Sequence, residues 1–297
     1  MTAPSPLVSV GLPIRNAEQT VEGVVASVLA QTHDHLELII SDNASSDGTE
    51  SVCRALAATD SRVIYHRQSD DIGLLANFRF VLSESRGEFF RWIGDDDTLH
   101  ADYAATCIAM LRQNPDAVLT TTQISYTDPD GVTETDCSYD GIAMSSADPV
   151  DRLDAMLRYL NESYLLVDPL YAMMRRARML GIVRRNMLRE DQLYSAKLAL
   201  AGPWAHVPEL LANRHIRRTR LPALARRLEV PAWQVRVTNS LLCVEMLREI
   251  DRAPLSKRDR HRARASVARF YRRRQALVLR RRVRRLGTMI TPGRRPG

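Results

Sequence analysis

Short apolar runs alternate with amphipathic stretches through the first third of the chain. The apolar runs predict buried strands over residues 8–12, 36–40, 63–66 and 89–93. Between them, apolar residues recur at the spacing of one helix face, as in Leu74–Glu84. Strands that alternate with helices at short intervals predict an α/β fold, in which a central, mostly parallel sheet is flanked by helices.

The first loop has two expected boundary residues. Pro13 lacks an amide hydrogen and therefore predicts the end of the first strand. Asn16 is a predicted N-cap, because its side chain can accept a hydrogen bond from the first turn of a helix. The helix that it would open carries apolar residues on one face, at Val21, Val24, Val25, Val28 and Leu29.

The second half of the chain has a less regular pattern. Residues 127–147 predict a long loop, and residues 148–161 predict a helix. Another helix is expected from residue 190 to Gly202. Residues 220–253 predict helices that form a C-terminal extension. These helices would pack either on the core or on a second copy of the chain, and the second arrangement would make a homodimer.

The composition is typical of a globular protein in a reducing compartment. A chain of 297 residues can bury a large core. Its four cysteines are widely separated and form no C-x-x-C pair, so neither a zinc site nor a disulfide framework is expected. No secretory signal opens the chain, and no apolar run reaches the ~18 residues that span a bilayer. We therefore expect a cytoplasmic location.

Positive charge is concentrated at the C-terminus. Residues 256–297 contain 16 Lys and Arg against the single acid Asp259, a net charge of +15. Subtracting this from the +7 of the whole chain leaves −8 for residues 1–255. Apolar residues form an imperfect stripe among the arginines, at Val267, Phe270, Tyr271, Leu277, Val278, Val283 and Leu286.

This basic segment fits three interpretations. A basic amphipathic helix can lie on an anionic membrane, which would place the protein peripherally on the inner face of the cell membrane. The segment could instead be an inert solvated tail, or it could bind nucleic acid. Nucleic acid is the least favoured partner, because the aromatic residues expected among the arginines of a single-strand binding surface are missing.

Three consecutive aspartates, Asp95, Asp96 and Asp97, follow the fourth predicted strand. Burying three carboxylates side by side costs several kcal/mol unless their charge is compensated. Mg²⁺ or Mn²⁺ would compensate it, because these ions prefer oxygen ligands and keep positions open for a phosphate. The alternative is a solvated acidic turn that caps the next helix.

Polar residues also follow two other predicted strands, at positions 13–16 and at Asp42. Because ligands of open α/β sheets bind at the carboxyl ends of the strands, all three segments would share one binding edge. The sequence contains neither G-x-G-x-x-G after the first strand nor G-x-x-x-x-G-K-[ST]. A dinucleotide site or a P-loop is therefore not expected, and the phosphates of a ligand would be held in another way.

Several short motifs follow one another along the chain. They are V-S-V-G-L-P-I-R-N, S-V-L-A-Q-T, L-E-L-I-I-S-D-N-A-S-S-D-G-T, D-I-G-L-L-A-N, G-E-F-F-R-W-I-G-D-D-D and, further on, R-E-D-Q-L. In this order the motifs resemble the family 2 glycosyltransferases. The resemblance covers residues 7–126 and resumes over roughly residues 165–215.

The resemblance implies a GT-A fold that binds a nucleotide-sugar donor, most simply a UDP-sugar, with Mn²⁺ or Mg²⁺. It implies a catalytic domain over residues 1–218, with the donor bound by residues 1–126 and the acceptor by residues 127–218. A helical extension (219–255) and the basic tail (256–297) would follow. The implied donor-binding residues are Pro13, Arg15, Asn16, Asp42, Gly73, Asn77 and Asp95.

The implied metal ligands are Asp96, Asp97 and His215. The register of the aspartate motif is ambiguous, and Asp96 is the first choice of metal ligand, closely followed by Asp95 and Asp97. His215 could equally be a surface histidine beside other basic residues.

By the same resemblance, Asp191 is the catalytic base and Glu190 orients or binds the acceptor. An acceptor hydroxyl is a poor nucleophile, so a carboxylate must take its proton during attack. The implied activity is an inverting transfer of a hexose to a hydroxyl of a cell-envelope glycan or a lipid-linked acceptor. Two alternatives remain at this point, a nucleotidyltransferase and a catalytically silent scaffold with the same fold.

Overall fold

The computed structural model describes residues 5–163, 165–216 and 219–290, with the backbone alone for 281–290. The strands are Val8–Ile14 (β1), Leu36–Asp42 (β2), Val63–Arg67 (β3), Phe89–Trp92 (β4), Thr98–Leu99 (β5), Leu119–Thr127 (β6), Thr133–Thr135 (β7), Met173–Arg175 (β8) and Trp204–His215 (β9). The α-helices are Val21–Leu29 (α1), Thr49–Thr59 (α2), Leu74–Glu84 (α3), Tyr103–Gln113 (α4), Pro149–Glu162 (α5), Arg176–Met179 (α6), Glu190–Ala201 (α7), Leu221–Arg227 (α8), Gln234–Arg252 (α9) and Lys257–Ile290 (α10).

One mixed sheet organises the molecule. Its strand order is β3-β2-β1-β4-β8-β6-β9-β5, and β7 pairs with β6. The ladders among β3, β2, β1 and β4 are parallel, as is the ladder between β6 and β9. The short strand β8 is antiparallel to both of its neighbours and joins the two parallel parts. The predicted α/β fold with a central sheet and flanking helices is confirmed, and the helical C-terminal extension is present.

Apolar side chains cover both faces of the sheet. On one face α1 and α2 cover β1 and β2, and α4 covers β6 and β9; Val25 and Leu111 are completely buried there. On the other face α3, α5 and α7 surround Trp92 and Trp204. Burial of a large apolar side chain stabilises the fold by roughly 1.5–3 kcal/mol, so the two layers fix the strand ends that carry polar loops.

Two predicted boundaries are wrong. Strand β1 continues through Pro13 to Ile14. The backbone of Gly11 faces β4, and because residues of a strand alternate in direction, the backbone of Pro13 faces the same side. Strand β4 has already ended at that level. The amide hydrogen that Pro13 lacks is therefore not needed. Asn16 does not cap α1, which begins at Val21 after Thr20.

The C-terminal helices form a third apolar cluster. Helix α10 packs through Val267 and Phe270 against α5 and α9, and both side chains are buried. Part of the predicted apolar stripe is therefore inside the protein, while the side chains of Val283 and Leu286 lie outside the described residues. Within the described part of the chain, no helix has the length and apolar character required to cross a membrane.

Arginines of α10 meet the acidic face of α5. Arg262 contacts Asp148 and Asp151, each at 2.8 Å, and Arg269 contacts Asp154 at 2.7 Å. Much of the positive charge at the start of α10 is thus balanced within the molecule. Residues 127–147, predicted as a loop, contain β7 and the 3₁₀ turn Ile142–Met144, and α5 follows as predicted, with Asp148 as its N-cap.

Candidate functional site

A cleft of about 310 Å³ lies at the carboxyl ends of β1, β2 and β4. This first cleft lies at the edge where the sequence predicts a site. Of the predicted donor residues, Pro13, Arg15, Asn77 and Asp95 line it. Other lining residues include Asn43, Asp71, Asp96, Tyr171, Arg214, His215 and Arg227.

Hydrogen bonds between the loops that follow β1 and β2 fix the shape of these loops beside the first cleft. Asn16 has a left-handed backbone (φ 54°), its amide donates to Ser45 Oγ at 2.8 Å, and its Oδ1 accepts from the Ser46 amide at 2.9 Å. Asp42 is fully buried and accepts from the Ser45 amide at 2.9 Å and from Arg67 at 2.8 Å. Asn16 and Asp42 therefore shape the loops around the cleft without lining it.

The segment from Asp71 to Asn77 forms one side of the first cleft. Asp71 accepts hydrogen bonds from the Gly73 amide at 2.9 Å and from Asn43 Nδ2 at 2.5 Å, and it pairs with Arg15. Gly73 has a φ of 82°, a conformation that favours glycine, and it is the residue just before α3. Asn77 is buried and donates to Ser41 O at 2.9 Å.

The side-chain carbonyl oxygen of Asn77 is a buried hydrogen-bond acceptor. Its Oδ1 has no hydrogen-bond partner among the described residues, although the side chain lines the first cleft. An unpaired buried carbonyl oxygen costs roughly 1–3 kcal/mol. A ligand that donates a hydrogen bond there would remove that cost.

The three aspartates have different surroundings. Asp95 and Asp96 line the first cleft, whereas Asp97 does not and is almost completely buried. Asp97 accepts from Arg214 Nε at 3.0 Å, the His215 amide at 3.1 Å and the Gly94 amide at 3.2 Å. These bonds use both of its oxygens, so the predicted metal role of Asp97 does not fit its position.

The carboxylates of Asp95 and Asp96, with the imidazole of His215, fit a metal ion that also binds a phosphate ligand. Asp95, Asp96 and His215 line the same cleft. Across residues 5–163, 165–216 and 219–290, no group of three His, Cys, Asp or Glu side chains could hold a metal unaided. Mg²⁺ commonly binds one or two carboxylates and completes its shell with water and substrate phosphates, and this residue set suits that arrangement.

A second cleft of about 470 Å³ adjoins the first. Helix α7 contributes Asp191, Gln192 and Ser195 to it. Asp191 lines the second cleft, and its side chain is exposed there. Loss of hydration, together with the negative charges of Glu190 and Asp168, raises the pKa of the Asp191 carboxyl above its ordinary value.

Glu190 has a different setting from its neighbour. It is buried, lines neither cleft and forms a bidentate ion pair with Arg184, at 2.8 and 2.5 Å. The Arg184 guanidinium lies 4.7 Å from the Phe78 ring centroid and 5.4 Å from that of Trp92. Glu190 thus anchors the start of α7, and its predicted contact with an acceptor finds no support in this position.

Arg214 forms the partition between the two clefts, together with Tyr171. Its guanidinium pairs with Asp97 on one side and Asp168 on the other, and it lies 3.7 Å from the Tyr171 ring centroid. Tyr171, Arg214 and Arg227 line both clefts. Sequence reasoning missed Tyr171 and Arg227, since neither belongs to a motif. Asp168 precedes Pro169 at the start of a 3₁₀ turn, a pattern that predicts a turn and no site.

Comparisons with known proteins agree with this fold. The family model described as glycosyl transferase family 2 matches residues 9–177, more than half of the chain. The putative teichuronic acid biosynthesis glycosyltransferase TuaG of Bacillus subtilis is 33% identical over 102 residues, which are 34% of this chain and 40% of TuaG. The chain spans less than half the length of the curated relatives it matches.

Two solved structures share the architecture. One is Staphylococcus aureus TarS in complex with UDP-GlcNAc. The match covers 90% of this chain and 72% of the TarS chain, with a TM-score of 0.64 and 16% identity. The other is mannosyltransferase PcManGT of Pyrobaculum calidifontis in complex with GDP-Man and Mn²⁺. That match covers 89% of this chain and 74% of the PcManGT chain, with a TM-score of 0.54 and 17% identity. These likenesses show the expected GT-A fold. The family match, the fold and the cleft at the strand ends together show that the chain belongs to glycosyl transferase family 2.

Proposed function

We propose that the protein is an inverting, metal-dependent glycosyltransferase that moves a sugar from a nucleoside diphosphate sugar to an acceptor hydroxyl. The main support is the meeting of two clefts at a single partition. One cleft carries Asp95 and Asp96, and the other carries a carboxyl whose pKa is raised. This arrangement suits a reaction in which a charged donor and a hydroxyl acceptor approach from opposite sides of the partition.

The first cleft would bind the donor. Asp95, Asp96 and His215 would hold Mn²⁺ or Mg²⁺ together with diphosphate oxygens. When bound, the metal would supply Lewis-acid stabilisation to the departing diphosphate. The unpaired Oδ1 of Asn77 would accept a hydrogen bond from the donor. A UDP-sugar is the favoured donor, since a UDP-GlcNAc complex is known for TarS, which shares the fold.

The second cleft would bind the acceptor next to Asp191. As the acceptor oxygen bonds to the anomeric carbon, Asp191 takes its proton. The bond from that carbon to the diphosphate oxygen breaks, and its electron pair leaves with the diphosphate. Attack from the face opposite the leaving group inverts the anomeric centre. The raised pKa of Asp191 makes it a stronger base than an ordinary aspartate.

The lining of the second cleft supports an acceptor with an apolar portion. Its apolar lining residues include Met156, Tyr159, Leu160, Val167, Leu170 and Leu224. A lipid-linked intermediate or a cell-envelope glycan would fit this wall, and the name of the relative TuaG includes teichuronic acid biosynthesis. Helix α10 would bring the enzyme to an anionic membrane surface through its exposed arginines, such as Arg272 and Arg280.

Product analysis tests this function. The protein is incubated with UDP-, GDP- and dTDP-sugars, with model alkyl glycoside acceptors and Mn²⁺. We expect release of a nucleoside diphosphate and a product of inverted anomeric configuration by ¹H NMR. Pyrophosphate release from nucleoside triphosphates would indicate a nucleotidyltransferase instead. No turnover with any donor, although folded protein is present, would favour a silent scaffold.

A further inference from the structure

We infer that Arg227 provides the cation that binds the diphosphate of the donor and stabilises it as it leaves. This inference rests on the proposed function and adds a residue from helix α8, outside residues 9–177 that the family model matches. It rests on the position of Arg227, on the absence of an acidic partner for Arg227 among the described residues, and on the anchoring of α8.

Arg227 lies where the two clefts meet. It is one of three residues that line both, with Tyr171 and Arg214. In the proposed reaction, the bond that breaks lies between the donor in the first cleft and the acceptor in the second. The diphosphate oxygen that receives the bonding electrons must therefore lie close to this junction.

The charges of the first cleft single out Arg227. Arg15 is paired with Asp71, and Arg214 is paired with both Asp97 and Asp168. Arg227 is exposed and forms no ion pair within the described residues. An arginine without a carboxylate partner can donate to a phosphate without first breaking an existing ion pair, and its planar fork matches phosphate oxygens.

Helix α8 is held by apolar packing on both sides of the site. Ala225 and Leu228 share a cluster with Leu75 of α3 and with Leu188, which precedes α7. Leu75 follows the loop that closes one side of the first cleft, and Leu188 lies three residues before the predicted base Asp191. The anchoring keeps the backbone of Arg227 fixed relative to both clefts, while its guanidinium stays in water until the diphosphate binds.

The neighbouring Arg226 offers a matched control. It is also an exposed arginine of α8, but it lines neither cleft. Arg227→Ala and Arg226→Ala remove the same charge from the same helix, one residue apart. Alanine favours helix, so both variants should fold, which the melting temperature checks.

The test measures affinities by titration calorimetry for the nucleoside, its monophosphate and its diphosphate, with Mg²⁺ present. The base is the one whose diphosphate wild type binds most tightly. We expect Arg227→Ala to weaken diphosphate binding about tenfold or more, as for loss of a charge-assisted hydrogen bond. Nucleoside affinity should not change, and Arg226→Ala should match wild type for all three ligands.

Each other outcome has a defined meaning. Wild-type diphosphate affinity in Arg227→Ala would overturn the inference and leave the proposed function intact. Equal weakening in both variants would also overturn it, because it would indicate a general effect of net charge. If wild type bound no nucleoside diphosphate of any base, the proposed function would fail first.

Discussion

The two clefts are built by different means. The first is made of loops at strand ends, and many polar contacts hold these loops together, such as those of Asn16 with Ser46 and of Asp71 with Asn43. The second is made of helix faces with an apolar wall and one carboxyl of raised pKa, Asp191. In the proposed reaction the two clefts would serve different steps, charge recognition in the first and proton removal in the second, and these steps need opposite surroundings. A charged ligand needs many oriented dipoles and ions, whereas a base is strengthened by poor hydration.

Asp191→Asn should separate the two clefts most strongly. The amide cannot take a proton, so we expect sugar transfer to fall by about 100- to 10,000-fold, the usual contribution of a general base. Nucleotide affinity should stay at the wild-type value, because Asp191 does not line the first cleft. Rate assays and titration calorimetry on the same preparation measure both quantities. Unchanged turnover would remove Asp191 from its proposed role.

Glu190→Gln should instead reduce stability. The substitution leaves Arg184 buried without its counter-charge, and breaking a buried ion pair costs about 3–5 kcal/mol. Denaturant unfolding measures the change. Glu162→Gln is the control, because both side chains of the Glu162–Arg273 ion pair are exposed and its loss should cost about 1 kcal/mol or less. Equal losses in the two variants would contradict the structural role of Glu190.

Substitution of Asp96 should affect nucleotide binding, whereas substitution of Asp97 should affect stability. Asp96→Ala should weaken metal-dependent nucleotide binding by about tenfold or more with little change in melting temperature, since Asp96 lines the first cleft. Asp97→Asn should lower the melting temperature, because it removes the charge that faces Arg214. Titrations with and without Mn²⁺, beside thermal melts, separate the two effects. Wild-type metal dependence in Asp96→Ala would defeat its assignment as a ligand.

Asp168→Asn should shift the pH dependence of transfer. The negative charge of Asp168 helps to raise the pKa of Asp191, and the base works only when ionised. Without that charge the pKa of Asp191 falls, so the loss of activity on acidification should begin at a lower pH. The pH profile of kcat/KM measures the shift. Asp151→Asn, on the outer face of α5, should leave the profile unchanged, and an upward shift in Asp168→Asn would contradict this electrostatic role.

Much of the first cleft could be predicted from sequence, because its parts are local. Apolar strands end at Ile14, at Asp42 and just before the aspartate triplet, and parallel strands bring such ends to one edge. Sequence could not distinguish Asp97 from Asp96, since the difference depends on Arg214, 117 positions away. The pairing of Glu190 with Arg184 was equally hidden, because a buried acid at a helix start looks like one that favours the helix dipole.

The second cleft was harder to predict, because its residues come from separate segments. Tyr171 lies in a 3₁₀ turn and Arg227 in a short helix, and no spacing along the chain links either to Asp191. Helix α10 gave a misleading signal as well. Its apolar residues suggested a surface stripe, but Val267 and Phe270 fill the cluster between α5 and α9. An apolar face predicts burial and does not identify the partner.

The most direct test of the central claim is a thermal-shift measurement on the wild-type protein. UDP, GDP, dTDP and CMP are compared with nucleoside triphosphates, each with and without Mn²⁺. A ligand that binds only the folded protein raises the melting temperature by mass action. We expect one nucleoside diphosphate to stabilise the protein, and to do so more strongly with Mn²⁺. Stabilisation by triphosphates alone, or by no nucleotide at all, would contradict the account.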